Sequence, residues 1–194
     1  MQYPLQLKFK VLAIAHQLTV TDATGALVCY VKQKAFKLKE DVTVFADKEQ
    51  TQPLYTIKAD RVIDWNAKYA FATAAGAPLG MVQRQGTRSL FKAHYDIYDG
   101  AEIDMTIHEE NPWSKFFDAL FGELPVVGVF SGYVFNPKYA VTRTDGTQVM
   151  RVIKRPAMLE GKFEIERLAD MDEHEEIRAF LSVIMMVLLE RMRG

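Results

Sequence analysis

Hydrophobic and polar residues alternate along most of this chain with a period of two. In LQLKFKV, Leu5, Leu7, Phe9 and Val11 fall on one side, and Gln6, Lys8 and Lys10 on the other. FKAHYDIYD repeats the pattern with Phe91, Ala93, Tyr95 and Ile97. EIDMTIH does so with Ile103, Met105 and Ile107, and KFEIERL with Phe163 and Ile165. Such alternation is the signature of a strand with one buried face. Three intervals are alike: LTVTDATGALVCYVKQ, YAFATAAGAPLGMVQR and YAVTRTDGTQVMRVIK each read strand, small polar turn, glycine, strand. Apolar residues follow each glycine at three and six positions: Val28 and Val31, Leu79 and Val82, Val149 and Val152. The glycine supplies the positive φ of a tight hairpin turn. A fourth hairpin, VFADKEQTQPLYTIKAD, lacks the glycine and turns through a longer polar loop. The spacing of these units is uneven, which excludes a solenoid with a fixed repeat. It predicts an antiparallel meander of about a dozen strands, a number that closes or stacks to lose its edges.

Two segments depart from this pattern. NPWSKFFDALFG has Asn111 as a helix N-cap, Pro112 at the first helical position and Gly122 past the end. It predicts a short helix over 111–122 with Trp113, Phe116, Phe117 and Leu120 on one side, covering or plugging one end of the sheet. A membrane-interfacial helix carries a basic polar face, whereas this one mixes Lys115 with Asp118. The second segment is a helix over about 173–192. It opens in the acidic run DMDEHEE and closes in ERMRG, an order that suits the helix dipole. From Ala179 to Leu189 only Ser182 is polar. A run of about eleven residues spans roughly 16 Å, half of a ~30 Å hydrocarbon layer. Arg178 and Glu176 bound it on one side and Glu190 and Arg191 on the other, each costly near a bilayer centre. The run is therefore not a membrane span. Being apolar all the way round, it must be surrounded by protein. The expected fold is mainly β (α+β): one domain over 1–194, a closed antiparallel barrel of about twelve strands around a central hydrophobic C-terminal helix.

Composition narrows the functional classes. The 194 residues are 49% hydrophobic and 25% charged with a net charge of −1, the balance of a folded domain with no overall bias toward nucleic acid. Cys29 is the lone cysteine, so there is no intramolecular disulfide and no CxxC metal site. That usage and an N-terminal apolar stretch too short for a secretory signal lead to the expectation of a cytoplasmic protein, or one peripheral to a membrane.

Three stretches carry a family resemblance: YPLQLKFKVLAIAHQLTVTDATGALVCYVKQKAFKLKEDVTVF, YTIKADRVIDWNAKYAF and GMVQRQGTRSLFKAHYDIYDG. The first runs as strand, glycine turn, strand, basic link and F-x-L-x-x-x-x-x-x-F; the others repeat it more loosely. The chain resembles the LURP-one-related family of the tubby C-terminal-like superfamily, which shares its barrel with phospholipid scramblases. The likeness spans nearly the whole chain, with HEENPWSKFFDALFGELPVVG as an elaboration. It implies about twelve strands around a central helix. In that superfamily tubby domains bind phosphoinositides through a basic pocket, and scramblases associate with membranes and calcium. No stretch here matches tubby's phosphoinositide-binding residues, so none is carried over, and fold alone does not transfer function.

Candidate chemistry is sparse. His16, His94, His108 and His174 stand apart, and no phosphate-binding glycine loop or nucleophile elbow is present. No catalytic residue or cofactor is expected, and the protein is read as a non-enzyme. Glu102, Asp104 and His108 share the polar side of one strand and are weak candidates for a divalent cation, against the plainer reading of a solvated strand face. The best basic feature is YVKQKAFKLKED, with Lys32, Lys34, Lys37 and Lys39; Arg151, Lys154 and Arg155 would extend it if they lay nearby. The leading reading is a non-enzymatic module docking on anionic phospholipid or phosphoinositide through these residues. The alternative is a protein-interaction or structural barrel whose partner binds through Trp113 and Phe117. An enzyme with a site around Glu102, Asp104 and His108 ranks third, and nucleic acid is not expected.

Overall fold

A computed structural model describes residues 1–11, 15–34, 42–60, 67–85, 94–110, 137–157 and 161–191. The described residues form twelve strands and one helix. The first six strands are β1 (Leu5–Val11), β2 (Ala15–Thr21), β3 (Leu27–Lys34), β4 (Val42–Phe45), β5 (Pro53–Ala59) and β6 (Lys68–Thr73). The second six are β7 (Pro78–Arg84), β8 (His94–Asp99), β9 (Glu102–Glu109), β10 (Lys138–Arg143), β11 (Gln148–Arg155) and β12 (Gly161–Arg167). Each strand pairs with its neighbours in the chain, and β1 pairs antiparallel with β12 to close the barrel. The predicted twelve-stranded meander is thus a closed barrel, and closure removes its edges.

The hairpins show why their apolar residues fall three and six positions after the glycine. Gly25, Gly76 and Gly146 hold φ of 86°, 89° and 90°. In the strand after each, one residue has no register partner: Val28, Leu79 and Val149 respectively. This β-bulge shifts the alternation by one, so that an odd spacing can still present both residues to the core. Leu79 and Val149 are buried, as are Val31, Val82 and Val152 six positions on, and Val28 packs against the core. The fourth hairpin turns at Gln50 with φ 63°, while the Asp47 carboxylate accepts from the Thr51 and Gln52 amides.

One expectation is corrected by the same device. Strict alternation puts Ile103 on one face with Met105 and Ile107, but Asp104 is the unpaired residue of a bulge against β8. Ile103 therefore pairs with Tyr98 and is 43% exposed, whereas Met105 and Ile107 are fully buried.

The bulged hairpins all lie at one end of the barrel, and the helix α1 (Glu173–Arg191) enters from that end after β12. Every residue from Ala179 to Leu188 is at most 2% exposed. They form one cluster with inward side chains from all twelve strands. The Ser182 hydroxyl is satisfied within the helix, donating to the Arg178 carbonyl at 2.8 Å. Among the described residues no helix is long and apolar enough to cross a membrane.

Polar contacts fix the helix at both ends. At the entry end, Asp172 caps it by accepting from the Glu175 amide at 2.9 Å. Arg143 holds Glu175 with two hydrogen bonds of 2.6 and 2.8 Å. Arg178 reaches Asp104 Oδ2 at 2.6 Å, alongside the glycine at position 80. Gly80 has φ +118°, and a β-carbon there would overlap the Tyr98 carbonyl oxygen and lie 2.5 Å from Arg178 Cδ. At the far end Tyr95 donates to Glu190 at 2.6 Å, with the Arg84 guanidinium 3.6 Å from the same carboxylate. Burial, then the Glu190 charge, push the Tyr95 phenol far above its ordinary range. The expected helix over 111–122, with Trp113 and Phe117, lies outside the described residues.

Two substitutions test this packing. Leu181→Ala should cost about 2–5 kcal/mol in chemical denaturation, because the enclosed helix cannot shift to fill the void. Gly80→Ala should cost more than about 2 kcal/mol by the same measurement, from the strained backbone and the displaced Arg178.

Candidate functional site

Barrel closure brings together lysines that are far apart in the sequence. Within β1, inward Leu5, Leu7 and Phe9 leave Lys8 and Lys10 facing outward, and both are exposed. Lys8 pairs with Thr19 of β2 and with Lys162 of β12. Lys10 pairs with Gln17, which in turn pairs with Lys32 of β3. Lys162 pairs on its other side with Arg155 of β11. The outcome is a continuous outward face over β12, β1, β2 and β3 bearing exposed Lys162, Lys8, Lys10 and Lys32, with Arg155 at its margin. Three inter-strand steps make it roughly 14 Å wide.

The candidate residues from the sequence divide on this frame. Lys32 lies on the basic face, and Lys34 is two residues further along β3. Lys37 and Lys39 lie outside the described residues. Arg155 donates to Glu164 at 2.8 Å, and Glu164 also accepts from Gln6 at 3.1 Å. These contacts, Arg155 foremost, hold the Glu164 carboxyl below its usual range. Arg151 is engaged by Glu110 at 2.7 Å and stands four strands from Lys32. Lys154 takes the opposite face of β11: it shares the inward side with Val152, and its register partner is the buried Phe163. Sequence reasoning missed Lys8, Lys10 and Lys162 as site residues. Their signal was present as the polar side of two strands, but only the β1–β12 pairing joins them.

Glu102, Asp104 and His108 do not come together. The bulge turns Asp104 to Arg178, while His108 lies near the other end of β9 opposite His94. Among the described residues no group of three or more His, Cys, Asp or Glu side chains is gathered as metal ligands would be. His94 Nε2 lies 3.2 Å from Asp96 Oδ1, and the Gln85 amide donates to the other Asp96 oxygen. Burial, and next the proximity of His94, lower the pKa of His108. Where α1 enters, an open cleft of about 560 Å³ is lined by Asp99, Asp172, Glu173 and Arg178 among others. Its guanidinium is already engaged by Asp104 and Asp99. Cys29 is buried on the inner side of β3, and burial pushes its thiol up to about 12.

The fold and surface define a closed twelve-stranded barrel filled by its own helix and carrying a basic outer wall. The sequence model of the LURP-one-related family matches residues 27–172, and the chain belongs to that family. The structure is similar to the X-ray structure of a protein from Arabidopsis thaliana, with a TM-score of 0.50 and 15% identity over 97% of this chain and 91% of that one. At that identity the likeness is one of fold. The search of curated proteins gives no match. Lys32, Arg155 and Lys162 fall inside the family match, whereas β1, with Lys8 and Lys10, precedes it.

The state of Cys29 gives a direct check on the closed interior. In the folded protein at pH 8 it should resist a thiol-titrating reagent and react promptly once denaturant is added, because almost no thiolate forms below a pKa of about 12. The linked stability is fully present below the ordinary thiol value of 9.0 and is lost as pH rises from there through about 12.

Proposed function

We propose that this protein is a non-enzymatic binding module that docks on an anionic phospholipid surface through the wall formed by β12, β1, β2 and β3. The observation that carries the reading is the run of exposed lysines, Lys162, Lys8, Lys10 and Lys32, on adjacent strands of one face. Lysine is a flexible, hydrated point charge, suited to an array of mobile headgroups rather than to one bidentate partner. Each lysine near an anionic surface is worth about 1 kcal/mol, so four give weak, reversible, peripheral attachment on the order of millimolar. Such attachment suits a cytoplasmic protein that visits a membrane. The arginines play a smaller part, since Arg151 and Arg155 are engaged by Glu110 and Glu164.

Co-sedimentation with phosphatidylserine-containing and neutral vesicles across a salt series tests the proposal. Binding to the anionic vesicles alone, fading as salt rises, is the expected result. The triple variant of Lys8, Lys10 and Lys32 to Gln should weaken it by about 100-fold with an unchanged melting temperature. Binding that is indifferent to salt or to these three lysines would refute the proposal, and absence of binding would favour a protein partner.

A further inference from the structure

One row of residues across the outer wall puts like charges side by side. Lys162 of β12 and Lys8 of β1 are register partners and both are exposed, and Lys162 is in turn the partner of Arg155 on β11. Three cations thus stand on three successive strands with no opposite charge between them in the row. Residues directly opposite in an antiparallel pair have β-carbons about 5 Å apart, and like charges so placed repel. The carboxylate nearest in register is Glu164, two residues along β12 from Lys162 and diagonal to Lys8. It is already engaged: Arg155 donates to one of its oxygens at 2.8 Å and Gln6 to the other at 3.1 Å. Glu166, the next outward residue of β12, lies opposite Arg151. Among the described residues no ion pair relieves Lys8 or Lys162. Beyond Lys8 the row continues to Thr19 of β2, which faces outward because Leu18 and Val20 on either side of it are fully buried.

Resting on the docking reading above, we propose that Lys8 and Lys162, with the Thr19 hydroxyl beside them, form a site for a lipid phosphomonoester, so that the wall prefers headgroups ending in that group over phosphodiester headgroups. A phosphomonoester carries a charge of about −1.5 to −2 at neutral pH and three strong acceptor oxygens. Set between the two lysines, it neutralises both ammonium groups and accepts a charge-assisted hydrogen bond from each, with an oxygen left for Thr19. A phosphodiester has a single negative charge and matches only one lysine of the pair. Both lysines are exposed on the outside of the barrel, so a soluble phosphate ester held there keeps most of its surface in water and binds weakly. On a membrane Lys10 and Lys32 meet further headgroups at the same time, and the separate attachments reinforce one another. The wall therefore selects the lipid as the source of the phosphate.

The test compares sedimentation with phosphatidic acid and with phosphatidylglycerol vesicles, each diluted in phosphatidylcholine to the same zeta potential at fixed salt. The unmodified protein should bind the phosphatidic acid vesicles about tenfold more tightly, the gain from one further charge-assisted contact. Lys8→Gln and Lys162→Gln should each bring that ratio close to one. Lys32→Gln, outside the pair, should weaken binding to both vesicles and leave the ratio unchanged. Equal binding of the two vesicles by the unmodified protein, or a ratio that survives Lys8→Gln and Lys162→Gln, overturns the phosphomonoester site while the docking reading stands. Glycerol 3-phosphate, the soluble counterpart of the phosphatidic acid headgroup, is titrated in parallel by calorimetry and should bind in the millimolar range or more weakly. Micromolar binding that is lost in Lys8→Gln and Lys162→Gln overturns the lipid as the source. No sedimentation with either vesicle overturns the docking reading and the lipid site with it.

Discussion

A helix without a polar side is the constraint on which this structure depends. Ten successive residues, Ala179 to Leu188, are removed from water on every side. An open sheet covers one face of such a helix and leaves the other wet, so only a closed sleeve suffices. The β1–β12 pairing provides closure, although the paired residues are separated by most of the chain. The charges flanking the apolar run then have to be accommodated where it meets the rims. Arg178 finds Asp104, Glu175 finds Arg143, and Glu190 finds Tyr95 and Arg84. Gly80 belongs to the same arrangement, since any side chain there would occupy the space of Arg178.

The helix fills the lumen of the barrel. Barrels that bind small ligands internally keep part of the interior free, whereas here inward side chains from every strand pack against α1 in one cluster. Among the described residues, what is left open to contact is the outer faces of the strands and the rim where the helix enters. Those outer faces are not uniform. Closure assembles lysines from β12, β1 and β3 into one wall, and the hairpins gather carboxylates at the rim where the helix enters.

Much of the architecture was legible in the sequence because it rests on local patterns. The three glycine hairpins, the inward residues of β1, β8 and β12 and the extent of the helix all follow from periodicity and turn chemistry. The spacing of three and six after each glycine was visible too, but its cause was not. A bulge is a relation between two strands, and it emerges only from their pairing. The same limit misplaced Ile103 and hid the role of Asp104, whose strand reads as regular alternation until the extra residue is counted against β8. The basic wall was legible in part. Lys32 stood out among its neighbouring lysines, but Lys8, Lys10 and Lys162 read as ordinary polar positions until closure joined them. Conversely, Arg151, Lys154 and Arg155 look like one cluster in sequence, yet alternation sends Lys154 to the opposite face and carboxylates engage the two arginines.

The most direct test of the central claim, that the barrel exists to enclose α1, is native-state hydrogen exchange of the amides from 179 to 188. An enclosed helix can open only when the barrel does. These amides should therefore exchange solely through global unfolding, with the same opening free energy as the most protected strands and the same sensitivity to denaturant. Exchange at a clearly smaller free energy, while the strand amides stay protected, would show that the helix leaves a barrel that stands without it.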